Sequence, residues 1–223
     1  MKKKWYLLPL FCVIACFIFA AIVRVSYPKN LLNRAQTYTY NANAEDTTSF
    51  LEGKGFRTGA DLVSGSDIIV QGKWSGERKA TNDALYTPVN VEKVNKGSAS
   101  LVGKTILVVQ QMNVIENNEQ AFYYDAAQNA MIPLQKDVKY LLLLKHVPSD
   151  ASKTVDSMQY YPVSESAFGI YRLSNKKQPR ILKSTEEIIH FNELQNFDLY
   201  TSKQAQLDKY YTYKADVFAA THQ

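Results

Sequence analysis

The chain has 223 residues, a formal net charge of +5 and two cysteines, a length that accommodates one membrane segment and roughly one ordinary domain. Lys2, Lys3, Lys4 and Arg24 flank the first apolar run, which holds no acid, so residues 25–223 carry only +1; that excludes the basic footprint of a nucleic-acid binder. Cys12 and Cys16 both lie inside the run, which excludes a disulfide framework, a cysteine nucleophile and a cysteine-ligated zinc elsewhere and fits an exported bacterial surface protein.

The apolar run, 5–23, has 19 uncharged residues, about 29 Å as a helix and close to the hydrocarbon thickness of a bilayer. It predicts a transmembrane helix within 1–25. The three lysines stay on the cytoplasmic side and place the C-terminal domain outside. Trp5 and Tyr6 stand where an interfacial aromatic belt would be, and membrane helices tolerate a proline such as Pro9. The run is longer than the h-region of a signal peptide, which favours an uncleaved anchor over cleavage near Ala20 and Ala21. Val13-Ile14-Ala15-Cys16 resembles a lipobox with Cys16 as the acylated residue, but 17–23 stays apolar where a mature lipoprotein turns polar.

Residues 26–56 are polar and aperiodic and read as a spacer. Within 57–183 a short helix is expected at 58–64, with Thr58 as N-cap, Asp61 at the third helical position and Gly65 as its stop. The first strand is 67–74, with Ile68, Val70 and Gly72 on one face and Ile69, Gln71 and Lys73 on the other; Gly72 permits a bulge or a sharp bend. The second is 85–94, with Leu85, Val89, Val91 and Val94 inward; Pro88 predicts a late start or an edge position. The third, 104–111, is apolar on both faces and is expected to be buried on both. A polar loop follows at 113–120, then a short strand at 122–124. Residues 138–146 contain Tyr140-Leu141-Leu142-Leu143-Leu144, which is short and turn-bounded and so reads as a central strand rather than a helix. Strands at 160–163 and 167–173 lead to a hairpin turn at 175–179 and a final strand at 180–182. In 184–223, Ser184 and Glu187 form a capping box for a helix over 185–195, and a second helix is expected over 202–211 with Leu207 and Tyr210 inward.

The order of these pieces carries a resemblance. Asp67-Ile68-Ile69-Val70-Gln71-Gly72-Lys73, then Val89 to a Lys96-Gly97 turn, then Gly103-Lys104-Thr105-Ile106-Leu107-Val108 and Lys139-Tyr140-Leu141-Leu142-Leu143-Leu144 resemble the netrin-like, tissue-inhibitor-of-metalloproteinase-like superfamily. They also resemble membrane-tethered surface proteins of Gram-positive bacteria with the same pattern. The resemblance covers about 60–175 and implies a mainly β fold, an OB-like five-stranded barrel with flanking short helices. Metalloproteinase inhibitors of that superfamily chelate zinc through an N-terminal cysteine. No cysteine lies near this domain, so that mechanism does not carry over, and no functional residue is transferred.

No catalytic motif stands out. His146, His190 and His222 lack metal-ligand spacing, Glu186 and Glu187 diverge on a helix and suit its dipole, Ser64-Gly65-Ser66 is a turn rather than a nucleophile elbow, and Gly53-Lys54-Gly55 is too short for a phosphate loop. No catalytic residue, metal or cofactor is assigned. Fifteen tyrosines cluster at Tyr38/Tyr40, Tyr123/Tyr124, Tyr160/Tyr161 and Tyr210/Tyr211/Tyr213; most are explained by the fitness of tyrosine for strands. OB-type barrels also bind oligosaccharides or oligonucleotides on a sheet face, and Trp74, Tyr123 and Tyr124 are the candidates for such a surface. The reading is a membrane-anchored extracytoplasmic binding module for a surface protein or cell-wall glycan. The alternatives are an enzyme with an unrecognised site and an assembly partner of a membrane complex.

Overall fold

The structure, a computed structural model, describes residues 7–26, 39–41, 51–81, 83–111, 113–116, 122–125, 130–148, 158–174, 176–181, 183, 188–190, 193, 196–199 and 201–222. Helix α1 spans Leu7–Ser26. The side chains described on it run from 12 to 24 and are all exposed, Cys16 among them. Among the described residues no helix is long and apolar enough to cross a membrane.

The centre of the fold is a mainly β domain. Its strands are β2 (Ile68–Trp74), β3 (Lys79–Ala80), β4 (Ala84–Lys96), β5 (Thr105–Gln111), β8 (Lys139–His146), β9 (Gln159–Pro162) and β10 (Ile170–Arg172). Strand β2 lies between β4 and β8, β5 follows β4, and β9 joins β5 to β8, which closes a five-stranded barrel. All these pairings are antiparallel except β5 with β9, which is parallel through Leu107↔Gln159 and Val108↔Tyr160. Strands β3 and β10 add to β4 and β8.

Alternation along the strands makes two cores. The barrel interior packs Ile68, Val70, Val89, Val91, Ile106, Val108, Leu142 and Leu144. Outside it, Ile69, Leu141 and Leu143 of β2 and β8 pack under α2 (Gly59–Gly65) and α3 (Gln204–Ala220), against Leu62, Leu207, Tyr210, Tyr213 and Val217. Strand β8 is therefore buried on both faces, as its leucine run requires. The register shifts between Gln71, which pairs with Lys93, and Gly72, which pairs with Val91, so the extra residue, Glu92, lies on β4 beside Gly72; a Cβ on Gly72 would meet the Asn90 carbonyl oxygen and, at 2.8 Å, Val89. The capping box on α2 forms as expected: Thr58 Oγ1 accepts from Asp61 N at 3.2 Å and Asp61 Oδ2 accepts from Thr58 N at 2.8 Å. Helix α3 begins at Gln204 and runs well past 211, with Leu207 and Tyr210 buried.

Several expectations are corrected. Pro88 sits in mid-strand, not at a late start or on an edge: its missing N–H falls between the last β3 partner, Tyr86, and the first β2 partner, Val89. Strand β5 buries Ile106, Val108 and Gln110, while Leu107 and Val109 are half-exposed. Val94 is half-buried and packs against the inner core, on the side expected for it. Residues 113–116 are not loop but strand β6 (Asn113–Glu116), paired with β7 (Phe122–Asp125); Val114 and Ile115 are β-branched and suit it. Gly65 is the last residue of α2, and the extended Ser66 ends it. The expected strand at 167–173 is a 3-10 turn, Ala167–Gly169, followed by β10. Ile181 makes a single parallel bridge to Thr201 rather than a hairpin strand. The helix expected over 185–195 is overturned at β11 (Ile188–His190), which pairs with β1 (Thr39–Asn41) inside the supposed spacer; two adjacent isoleucines favour a strand once a partner is available. The capping pair Ser184 and Glu187 lies outside the described residues. At the end of the spacer, Leu51 is fully buried in the outer core.

Candidate functional site

The barrel mouth next to β3 is assembled by the turn after β2. Ser75 N donates to Pro88 O at 2.8 Å, and Gly76, at φ 77°, reverses the chain in a conformation glycine adopts without cost. Trp74 Nε1 then donates to Gly76 O at 3.1 Å. The turn delivers Arg78, only 4% exposed, beneath the indole, with its guanidinium carbon 4.0 Å from the Trp74 ring centroid. Arg78 Nε donates to Thr87 Oγ1 at 2.9 Å, and its guanidinium donates to the Leu134 carbonyl. Gln110 completes the plug: its Nε2 donates to Ile132 O at 2.8 Å and its Oε1 accepts from Leu134 N at 3.2 Å. Met131 and Leu134 enter the barrel core from the same segment. This end of the barrel is packed, and Trp74 lies over it, half-buried.

The sheet face of β4 and β5 turns outward beside this mouth. Thr87, Val89, Ile106 and Val108 are buried, so the alternate residues face out. In register these are Tyr86 with Val109, Pro88 with Leu107, and Asn90 with Thr105. None is charged, and all are half-exposed except Thr105, which is exposed. The next outward position, Glu92, is neutralised by Lys139 at 2.6 Å and Lys73 at 3.6 Å. The hydrogen bond from Lys139, ahead of the other influences, holds its carboxyl below the usual range. Whereas α2 and α3 cover the outer face of β2 and β8, Gly76 brushes this one, its Cβ direction 3.4 Å from the Pro88 ring.

A third constellation is buried between β10 and the C-terminal segment. Arg172 and Asp198 are each 6% exposed. Arg172 Nε lies 3.2 Å from Asp198 Oδ1 as an ion pair without hydrogen-bond geometry. Arg172 also donates to Gln135 Oε1 at 2.8 Å and to Phe197 O at 3.1 Å. Asp198 Oδ2 accepts from Gln178 N and from the Tyr211 hydroxyl, both at 2.9 Å. Burial, and then the Asp198 charge, drives the Tyr211 hydroxyl far above the ordinary tyrosine range. The adjoining cavity, lined by Tyr140, Ile170, Arg172, Phe197, Asp198 and Tyr210, measures about 10 Å³, room for about one water. A cluster so occupied by its own partners latches the C-terminal segment to the barrel; it has no space for a substrate.

The residues singled out from sequence do not converge. Trp74 is at the barrel mouth, whereas Tyr123 and Tyr124 lie on β7, opposite Ile115 and Val114, in a two-stranded sheet separate from the barrel sheet. Their side chains, and residue 38, lie outside what is described. Tyr160, Tyr210 and Tyr213 are buried core residues, as strand and packing preferences suggest. Among the described residues no group of three or more His, Cys, Asp or Glu could hold a metal. Sequence reasoning missed Arg78, which sits in a stretch read as polar loop, and Tyr86, whose alternation with Pro88 and Asn90 on one strand was the available signal. It also missed the Arg172–Asp198 latch, whose partners come from five separate stretches of chain. No protein-family model matches the chain, and no curated protein matches it.

Proposed function

We propose that this protein is a non-enzymatic binding module, held at the cell membrane by its N-terminal segment with the barrel outside the cytoplasm, that takes a cell-wall glycan or a surface protein. The observation that carries this reading is the uncharged outward face of β4 and β5, which no described helix packs against, beside the barrel mouth that Trp74 overlies. Aromatic and amide side chains without charge suit sugar rings and hydroxyls, and they equally suit the centre of a protein interface. The strand order supports an OB-type barrel. Taking β2, β4, β5, β8 and β9 as strands one to five, the order is 1-2-3-5-4 and back to 1, with three and five parallel. In such barrels the face of strands two and three binds oligosaccharides and oligonucleotides, and the near-neutral charge of 25–223 argues for the former. The netrin-like kinship, and with it a place among membrane-tethered surface proteins of Gram-positive bacteria, rests on the strand pattern and the Lys96-Gly97 turn.

The anchor rests on the uncharged run 5–23 behind three lysines. Acylation at Cys16 is the lesser route to the same location, and the mass of the mature protein separates the two. The function is tested by incubating the detergent-solubilised full chain with purified cell wall and, separately, with solubilised surface proteins. Retention on wall that Trp74→Ala or Tyr86→Ala weakens supports a glycan ligand. Enrichment of one surface protein with no wall retention supports a protein partner. Retention on neither, with the folded protein intact, sinks the reading.

A further inference from the structure

We propose that Lys177 and Lys214, which converge beside the Tyr211 ring, form a binding site for a phosphate monoester. The site is built from other residues than the β4–β5 face, and its failure would leave the reading of that face untouched.

Both amines are held in place. The chain is pinned before Lys177 at Ser174, where Lys214 Nζ donates to the carbonyl at 3.2 Å and Lys176 N donates to Oγ at 3.1 Å. It is pinned after Lys177 at Gln178, whose N donates to Asp198 Oδ2 at 2.9 Å and whose carbonyl accepts from Asp198 N at 3.0 Å. Between these points the Lys177 ammonium lies 4.5 Å from the Tyr211 ring centroid. Lys214 stands one turn further along α3, its ammonium 5.4 Å from the Phe218 ring centroid.

Charge is out of balance here. Asp198 is the carboxylate whose charge reaches Lys214, but its oxygens are engaged by Arg172, Gln178 N and the Tyr211 hydroxyl. Among the described residues neither Lys177 nor Lys214 pairs with a carboxylate. The α3 residues one turn either side of Lys214 are Tyr210, Tyr211, Val217 and Phe218, and Asp216 turns toward Gly59 of α2. Lys214 is half-buried, and burial holds its amine below the ordinary lysine range; Asp198 opposes that shift, whereas Arg172 and Lys177 add to it. A partly buried ammonium without a counter-ion is costly, and an anion seated across the two amines removes the cost. Lysine takes phosphate as a point charge. A phosphate monoester carries nearly two negative charges at neutral pH and several strong acceptor oxygens, which matches two ammoniums.

The test is amine acylation of the full chain in detergent micelles, mapped by peptide mass, with exposed Lys104 as the internal control. The soluble probe is glycerol 3-phosphate, and acetate at equal ionic strength is the charge control. A second arm places the chain in phosphatidylcholine nanodiscs with or without phosphatidic acid, which carries the same group on a lipid. Glycerol 3-phosphate should slow acylation of Lys177 and Lys214 saturably and leave Lys104 unchanged. Lys177→Gln, at an exposed position, should raise the concentration that protects Lys214 about tenfold, the loss of one of two close charges. Protection by glycerol 3-phosphate assigns the site to a soluble ester; protection with phosphatidic acid alone keeps the site and assigns it to the membrane. Protection by neither, equal protection by acetate, or protection of Lys214 undiminished in Lys177→Gln overturns the proposal.

Discussion

Replacing Asp198 with alanine tests whether the buried latch holds the C-terminal segment to the barrel. The substitution leaves Arg172, 6% exposed, without the carboxylate 3.2 Å from its Nε. Gln135 and the Phe197 carbonyl continue to accept from the guanidinium, but neither carries a compensating charge. The Tyr211 hydroxyl and Gln178 N lose their acceptor at the same time. Breaking a buried ion pair from one side costs about 3–5 kcal/mol, a large fraction of the total stability of an ordinary domain. At this size each kcal/mol lowers Tm by roughly 2–4 °C, so a fall on the order of 10 °C is expected. The assay is thermal and urea unfolding of the full chain followed by circular dichroism, for Asp198→Ala, Arg172→Met and the double variant. Removing both partners leaves no orphan charge, so the double variant should lie at least about 1.5 kcal/mol above the sum of the singles. A loss below about 1 kcal/mol for Asp198→Ala, or simple additivity of the two, would refute the reasoning.

Other outcomes follow from the same geometry. Gly72→Ala forces a methyl against the Asn90 carbonyl at the bulge and should cost about 1–3 kcal/mol; an unchanged urea midpoint would show that the bulge yields freely. Thr58→Ala removes the N-cap acceptor of α2, with an expected loss of about 1 kcal/mol, read from the same transition. The backbone N–H of Arg57, and then Thr58, hold the Asp61 carboxyl below its ordinary value. Its contribution is therefore complete above the unfolded-state pKa of about 4 and is lost as pH falls through the lowered folded value. Asp61→Asn should flatten that acid limb of the stability–pH profile and leave the neutral-pH slope alone.

What was legible in the sequence was local. The Tyr140–Leu144 run had too few residues and too many flanking turn formers to be a helix, and it forms the strand buried on both sides. Thr58 and Asp61 sit three apart before an apolar residue, and the cap needs nothing more. Gly72 between Gln71 and Lys73 marked an irregular point on the strand, and the register of β2 against β4 does shift there, with the extra residue on β4. What was hidden depends on partners remote in sequence. Ile188–His190 carries a helix-like flanking pattern, and only Thr39–Asn41, about 150 residues away, makes it a strand. Pro88 is tolerated because two different strands meet on either side of it. Asp198 looks like one more surface acid until Arg172, Gln178 and Tyr211 are brought around it. At the candidate site, Trp74 was visible as an isolated aromatic. Its rigidity was not, because that comes from Arg78 through contacts to Thr87 and Leu134.

The closing pairs of the barrel have a temporal meaning. Strands β2, β4 and β5 can zip together as successive antiparallel neighbours once residue 111 has emerged from whatever machine delivers the chain. The ring waits for Leu107 to find Gln159 and Ile68 to find Leu144, pairings that carry a heavy loop-closure cost. Even then Ile69, Leu141 and Leu143, covered from one side by α2, remain partly bare until residues 204–220 arrive and α3 completes the cover. A chain stalled or clipped before 204 would therefore present a completed barrel with part of its apolar outer wall exposed. Such a product should self-associate, so α3 is what makes the outer wall of the barrel compatible with water.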